Sequence, residues 1–562
     1  MVAKRGARLE AGLRAVADRY PAARLGVRGR GYLLGLQLPA ARAAPAAHGL
    51  LDILAEQAML APLVASYLLN VCHVRVAPTL LGSDVVRIEP PLTLTEAEAD
   101  LIVAAVGQVA RLLAAGDAGA LVNHLLDAPL SASAIGQTRT PPRPSAPSIV
   151  VAKRDARPWA FLAHPLDAAG FAAIDDTLAR FSVPQLTELT DRLGGMIAPF
   201  VANTLSVKGR DRTACGTIVL VPWTAQALAR DRAGGLAAIR AAAELARTAG
   251  AGVVGLGGYC SIACGGGSDL AGSGVPVTTG NSYTAIAAVD AMAAACDRLD
   301  RPLDKAVVGI VGGGGSVGLG LAYLMAERVS RIVLVGNPGH RRASLARLRS
   351  AAAAIAAALI AGRDGVSGDL ARRALAYHDR TGADAAAVAN WLILAGDVEL
   401  AADHAALAAC DLVFTATSSP DLILAPELFR PNAILCDVSQ PRNIGRATAT
   451  ARPDLLVLDG GLVAVPGAPD LGIRFGLAAG VAFACMCEPM ILALEGRFDA
   501  APIGLGVPLD YLRALRGWGA RQGFRIAAPT SFGRPLEPAD WRARRTHNLH
   551  DQGEKYAQRP QS

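Results

Sequence analysis

The stretch Ala306-Val-Val-Gly-Ile-Val311, Gly312-Gly-Gly-Gly-Ser-Val-Gly318, Leu319-Gly-Leu-Ala-Tyr-Leu-Met-Ala-Glu-Arg328, Val329-Ser330, Arg331-Ile-Val-Leu-Val335 decides the fold. Its first run is short, apolar and rich in Val and Ile, as a strand buried on both faces requires. An apolar helix follows the glycines, and a second Val/Ile run returns as the next strand. The glycines satisfy two overlapping spacings, Gly313-x-Gly315-x-x-Gly318 and Gly312-x-x-Gly315-x-x-Gly318. Glycine suits such a place because the backbone must turn tightly and come close to a pyrophosphate, which then meets the free amides and positive dipole end of a helix. A glycine fingerprint by itself is weak, but one set between strand and helix in a strand–helix–strand unit is far more specific. The stretch predicts an α/β, doubly wound parallel sheet with a dinucleotide site at Gly312, Gly313, Gly315, Ser316, Val317 and Gly318.

Outward from this unit the Rossmann pattern continues. The second strand ends at Val335-Gly336-Asn337, with no Asp or Glu to hold a ribose 2′-hydroxyl; His340-Arg341-Arg342 follows instead and suits a 2′-phosphate. The cofactor expected is therefore NADPH, held by Asn337, Arg341 and Arg342. Asp411–Thr417 (DLVFTAT) and Ala433–Val438 (AILCDV) read as further strands, the first ending at Thr417, and Leu455–Leu458 leads into Asp459-Gly460-Gly461. Ligands of such sheets lie beyond the carboxyl ends of the strands. Between the second strand and DLVFTAT stand Ala-rich helices from Ser344 to Leu407, a far longer connection than the usual ~10–20 residues.

The chain has 562 residues, enough for three or four domains of ~100–200 residues. With 52% hydrophobic and 18% charged residues it can bury sizeable cores, which excludes a largely disordered protein. The net charge of +7 does not imply nucleic acid: there are only five lysines, and the scattered arginines form no basic stripe interleaved with aromatics. No signal peptide is visible. The apolar segment Phe475–Leu494 contains Glu488 and Pro489 and reads as a buried helix pair, so no transmembrane segment is expected. Nine cysteines, an odd number in a large chain, suggest a reduced cytoplasmic protein. Pro141, Pro142, Pro144 and Pro147 mark a linker within Ser131–Ser148. The expected division is 1–128, a linker at 129–148, a substrate domain at 149–300, the Rossmann domain at 301–470, C-terminal helices at 471–528 and a flexible tail at 529–562.

The N-terminal unit carries VRGRGYLLGLQL (27–38), a strand pair with a glycine corner, then VRIEPPLTLTEAEAD (86–100) and a helix with Thr95 as N-cap. These two motifs, in order and spacing, resemble the C-terminal small domain of class III pyridoxal-phosphate aminotransferases over about residues 1–125. Arg87 falls where that family carries an arginine beside the substrate site. The resemblance implies an α+β small-domain remnant, and pyridoxal phosphate only if an upstream aminotransferase domain is present. The internal aldimine needs a lysine, and this segment holds only Lys4. The abrupt start favours a truncated fusion over a docking domain without chemistry.

Cys485, in Phe483-Ala-Cys-Met-Cys-Glu-Pro489, is the candidate nucleophile: attack on an acyl thioester would give an acyl-enzyme, and the thiolate form calls for a lowered pKa. Cys260 and Cys264 lack a His or a second Cys pair nearby and read as structural, with no metal. Six ordered motifs over about residues 157–527 resemble the long-chain acyl-ACP (acyl carrier protein) reductases, which form fatty aldehydes. They are AFLAHPL (160–166), LGGYCSI (256–262), TTGNSYTA (278–285), the glycine turn, DGG (459–461) and the FAC segment. The resemblance implies an NADP-dependent oxidoreductase that reduces an acyl carrier protein or CoA thioester to an aldehyde. Cys485 would be the acylated residue, with Tyr259, Ser261, Thr279 and Asn281 at the substrate; the arrangement also allows a homodimer. Two alternatives stand beside it. One is a quinate/shikimate-type or other NAD(P)-dependent dehydrogenase without covalent catalysis; the other is a class III aminotransferase fragment acting as an interaction module.

Overall fold

The computed structural model describes residues 2–39, 49–79, 84–131 and 157–544, the last span apart from 173, 364–365, 420–423, 472–475, 499–500, 505 and 543. The protein is a mixed α/β chain with several sheets. The Pro-rich linker expected at 129–148 lies almost wholly outside the described residues.

In the N-terminal unit, β1 (Gly26–Arg30), β2 (Leu33–Gln37), β3 (Ala77–Pro78) and β4 (Val85–Ile88) form an antiparallel sheet in the order β1-β2-β4-β3. Helices Val2–Arg19 and Glu96–Ala115 pack against one another beside it, sharing Leu9, Leu13, Val106 and Val109 in the core. Thr95 caps the second helix reciprocally: Glu98 N–H donates to its hydroxyl at 3.2 Å, and its own N–H donates to the Glu98 carboxylate at 2.7 Å. The unit is joined to the following segment by buried polar contacts. Leu50 N–H donates to Asp175 at 2.9 Å, Gly119 N–H to the Thr177 hydroxyl at 2.8 Å, and Arg180 pairs with Asp117 at 3.0 Å.

The next sheet has the order β6-β7-β5-β8-β9, from β5 (Arg157–Ala163), β6 (Phe200–Lys208), β7 (Thr213–Leu220), β8 (Val254–Leu256) and β9 (Val277–Thr278). Only the β6–β7 pairing is antiparallel. Helix Asn281–Arg298 then carries the chain into a six-stranded, all-parallel sheet of β10 (Val307–Val311), β11 (Arg331–Val335), β12 (Val398–Ala401), β13 (Leu412–Thr415), β14 (Ile434–Asp437) and β15 (Leu456–Asp459). Its order, β12-β11-β10-β13-β14-β15, becomes 3-2-1-4-5-6 when the strands are counted within the sheet. The strand order reverses between β10 and β13, which run parallel, so a crevice forms beyond their carboxyl ends. The long connection resolves into helices Arg341–Ala361, Asp369–Thr381 and Ala385–Leu394 followed by the edge strand β12, which the sequence reading did not anticipate.

Two further expectations are corrected. The described part of Phe475–Leu494, residues 476–494, is not a helix pair: within it β17 (Val481–Phe483) pairs with β16 (Leu462–Ala464), and a single helix, Ala484–Glu495, follows. The tail is ordered through its first part. A hairpin of β19 (Thr530–Ser531) and β20 (Arg534–Pro535), after β18 (Arg525–Ile526), lies beside β15, and Trp541 is buried. Asp459 at the end of β15 anchors it, accepting from the Thr530 hydroxyl at 2.6 Å and the amides of Phe532 and Gly533 at 2.9 and 2.7 Å. Among the described residues, helix Pro338–Ala361 and the bent pair Leu50–Glu56 with Leu60–Asn70 are long and apolar enough to cross a membrane. Leu348, Ile355 and Leu359 of that helix are buried in the core.

Candidate functional site

A cavity of about 610 Å³ opens where the carboxyl ends of β10, β11, β13 and β14 face the ends of β5 and β8 and the start of helix Ala484–Glu495. The glycine turn forms its floor. Gly312 adopts φ +84°, and a Cβ there would lie 2.3 Å from the Ala416 carbonyl oxygen; a Cβ on Gly318 would lie 2.2 Å from the Gly312 carbonyl oxygen. Both obstacles are backbone, so no side chain fits without opening the turn. Two helices begin at this floor, Asn281–Arg298 and Ser316–Ala326, and Asn281 Nδ2 donates to the Ser316 hydroxyl at 2.6 Å across their first residues. The start of Ser316–Ala326 turns its amides and positive dipole end to the cavity, an arrangement that favours an anion such as a phosphate, whereas the first amides of Asn281–Arg298 are already engaged by Thr279 and Glu488.

Gly312, Gly315, Ser316, Val317, Asn337, Thr417, Ser261, Thr279, Asn281 and Cys485 all line this cavity. Gly313 and Gly318 do not; they pack under the turn, against Leu334 and Gly312, and Gly314 takes a lining position instead. Tyr259 also lies off the lining, as do Arg341 and Arg342, which are exposed. The short helical turn Pro338–His340, closed by Gly339 N–H donating to Asn337 Oδ1 at 2.8 Å, delays the helix start until Arg341. The face turned to the cavity is then Ser344, Arg347 and Leu348. Arg347 is thus the arginine at the rim, with His404, just beyond β12, on the same wall; burial lowers the pKa of His404. Arg87 is elsewhere, exposed in β4 and 3.8 Å from Glu89.

Behind Thr417 lies a buried polar network that the sequence reading missed. The Thr417 hydroxyl and the Ser439 hydroxyl each donate to Asn443 Oδ1 at 2.7 Å. Asp437 accepts from the Thr415 hydroxyl at 2.6 Å and from the amides of Ser439, Asn443 and Ile444 at 2.9–3.0 Å. Such a satisfied network fixes the cavity wall; burial raises the Asp437 pKa, with its hydrogen bonds opposing. Its sequence trace is D-V-S-Q-P-R-N (437–443), short polar residues at the carboxyl end of a buried strand.

Cys485 lies in the first turn of its helix, half-buried at the cavity wall. The expected lowered pKa is corrected: burial pushes the thiol up to about 11, although the N–H groups of Gly258 and Met486 pull the other way. Cys487 is fully buried and off the lining. Cys260 and Cys264 are core residues, and the Cys264 thiol lies 2.9 Å from the Cys260 carbonyl. Among the described residues no group of three or more His, Cys, Asp or Glu is placed to hold a metal. No described lysine lines the cavity: Lys4 and Lys208 are exposed elsewhere, and Lys305 pairs with Asp369 at 3.0 Å. The described residues therefore do not fit pyridoxal phosphate as an internal aldimine.

No family model matches the chain. Over 347 residues, 61% of the chain, it is 26% identical to Aminotransferase PigE of Serratia sp. (strain ATCC 39006), and the match spans 36% of that relative. The chain thus covers about a third of the relative's length. The expectation of an NADP-dependent, thioester-reducing oxidoreductase is overturned by this finding, since the relative is named as a transferase; nothing in the comparisons supports the acyl-ACP reductase resemblance. What the comparison shows is a relationship to an aminotransferase.

Proposed function

We propose that this chain serves an aminotransferase-type protein by docking and by nucleotide binding, and does not transaminate with its described residues. In this reading residues 1–128 are a small-domain-like interaction module. Residues 301–470 are a Rossmann-type body, flanked by 149–300 and 471–528, which complete the cleft. The cleft holds a nicotinamide dinucleotide, with the pyrophosphate on Gly312–Gly318 and the nucleoside end against Asn337 and Arg347. The observation that carries the reading is the glycine turn at the strand-order reversal of an all-parallel sheet, with the N-terminus of helix Ser316–Ala326 opening onto it. A 2′-phosphate is favoured because the wall beyond β11 presents Asn337 and Arg347 and no carboxylate. The proposal is one of binding; oxidoreduction is not part of it.

Pyridoxal phosphate belongs to this reading only through residues outside those described, because an aldimine needs a lysine and the cleft offers none. Equilibrium titration of NADPH and NADH into the purified chain tests the proposal. Saturable binding with NADPH the tighter ligand is expected; no binding, or NADH binding as tightly, counts against it. In parallel, pyridoxal phosphate followed by borohydride should leave no adduct on Lys4, Lys208 or Lys305 beyond that of the denatured chain.

A further inference from the structure

One buried histidine stands behind the Cys485 wall with both ring nitrogens committed. His164 follows β5 directly and is 4% exposed. The Tyr259 N–H donates to its Nε2 at 2.8 Å, and its Nδ1 lies 2.8 Å from the Pro165 carbonyl oxygen. A donated N–H requires a lone pair on Nε2, so the ring proton is on Nδ1 and is accepted by Pro165. Burial keeps the ring neutral, with its pKa down to about 4.

The contact matters because of what precedes Tyr259. Gly258 has φ +48° and ψ −124°, and a Cβ on it would lie 2.7 Å from His164 Nε2. This tight turn aims the Gly258 N–H at the Cys485 sulfur, and the Met486 N–H reaches the same atom from within the helix. Gly280 closes the opposite side, where a Cβ would lie 2.4 Å from the Cys485 Cα. Pro489, four residues on, has no N–H to bond the Cys485 carbonyl, so the helix's first turn depends on these outside contacts.

We propose that His164 is a positioning residue for Cys485: as a neutral ring it accepts the Tyr259 N–H, holds the Gly258 turn, and so keeps the Gly258 N–H on the sulfur. It does not take the thiol proton. Nδ1 already carries a hydrogen and Nε2 is occupied, so when the sulfur attacks an electrophile its proton leaves to solvent through the open cleft. The titratable groups acting on this sulfur are Glu488 and Cys487 on its own helix; on the elements packed around it stand His164 after β5, Tyr259 at the start of helix Tyr259–Ala263 and Tyr283 in the first turn of helix Asn281–Arg298, and the glycine turn brings none. The proposal rests on the cleft being the working site, but its test reads the thiol and not nucleotide affinity, so the two readings fail separately.

The test is the alkylation rate of Cys485 by iodoacetamide between about pH 7 and pH 10, read on its own peptide by mass spectrometry with Cys485→Ser as the blank. In that reaction the thiolate displaces iodide and the thiol proton goes to buffer. The wild-type rate should climb with pH without a step in the histidine range. His164→Gln supplies an amide oxygen that reaches the Tyr259 N–H and should stay within about threefold of wild type. His164→Asn is too short to reach it and should slow the reaction about tenfold, as weakening one hydrogen bond to a charged group would. Gly258→Ala disturbs the same turn from the other side and should slow it similarly, which keeps the test alive if the Asn variant does not fold. Equal rates for Asn and wild type overturn the proposal. So does equal slowing by Gln and Asn, or a histidine-range step in wild type that Gln abolishes, either of which would make the ring a base.

Discussion

Glu488 offers the sharpest test of how the Cys485 helix is held. Its carboxylate is 1% exposed and lies one turn beyond Cys485. It accepts from the Thr278 hydroxyl at 2.7 Å and the Tyr511 hydroxyl at 3.1 Å on one oxygen, and from the Tyr283 N–H at 2.8 Å on the other. It thereby ties helix Ala484–Glu495 to the open amides at the start of helix Asn281–Arg298. In Glu488→Ala the two hydroxyls can turn to new partners, but the Tyr283 N–H cannot. That buried donor costs ~1–3 kcal/mol, and the lost side-chain volume brings the total to about 3–5 kcal/mol. In Glu488→Gln the oxygen facing Tyr283 can remain while the hydroxyls rotate to accept from the new NH₂, so the cost should be about 1 kcal/mol. Burial raises the Glu488 pKa, with the hydrogen bonds opposing. A raised carboxyl contributes stability that is full below its unfolded value and lost as pH rises through its folded value, so the cost of Gln should shrink with rising pH. Urea unfolding followed by tryptophan fluorescence reads all three proteins. Equal costs for Ala and Gln, or a Gln cost that grows with pH, would refute the reasoning.

Gly318→Ala places a methyl against the Gly312 backbone and should weaken NADPH binding more than about tenfold, whereas Gly314→Ala, whose methyl meets the Arg347 Cβ at 3.2 Å and Leu348 Cδ2 at 3.6 Å, should stay within about threefold, by fluorescence titration. Arg347→Ala should weaken NADPH about tenfold and NADH little, while Arg341→Ala and Arg342→Ala stay within about twofold for both. At Asp459, burial raises the pKa but the Thr530, Arg442 and Gly533 contacts outweigh it and hold it below the ordinary carboxylate value. The tail hairpin should therefore stay bound at neutral pH and release as pH falls through that value, below about 4, and Asp459→Asn should free it for limited proteolysis at neutral pH.

The glycine turn was legible because its demand is local: strand, four glycines and helix are contiguous in Val307–Ala326. Thr95 and its helix were legible for the same reason, the capping pair being three residues apart. β12 was not, since Val398–Ala401 is a four-residue edge strand after Ala-rich helices, too short for its Val-Glu-Leu alternation to stand out. The tail hairpin is not legible because what anchors it is Asp459, 71 residues from Thr530. The sequence points to Arg341 and Arg342 instead of Arg347 because the three-residue turn that shifts the helix phase carries no signal of its own. The ionisation of Cys485 is not legible because burial, its largest cause, is a property of the packed cleft and not of the FAC segment. Phe475–Leu494 misled because an apolar run looks alike in a buried strand and a buried helix.

The central claim is that the cleft over Gly312–Gly318 binds a phosphorylated dinucleotide. Hydrogen–deuterium exchange of the whole chain with and without saturating NADPH tests it most directly. The account predicts slowed exchange confined to the glycine turn, to residues 337–348 and to the segment around Thr417 and Ser439. Unchanged exchange at 312–318, or protection centred on the N-terminal sheet instead, would contradict it.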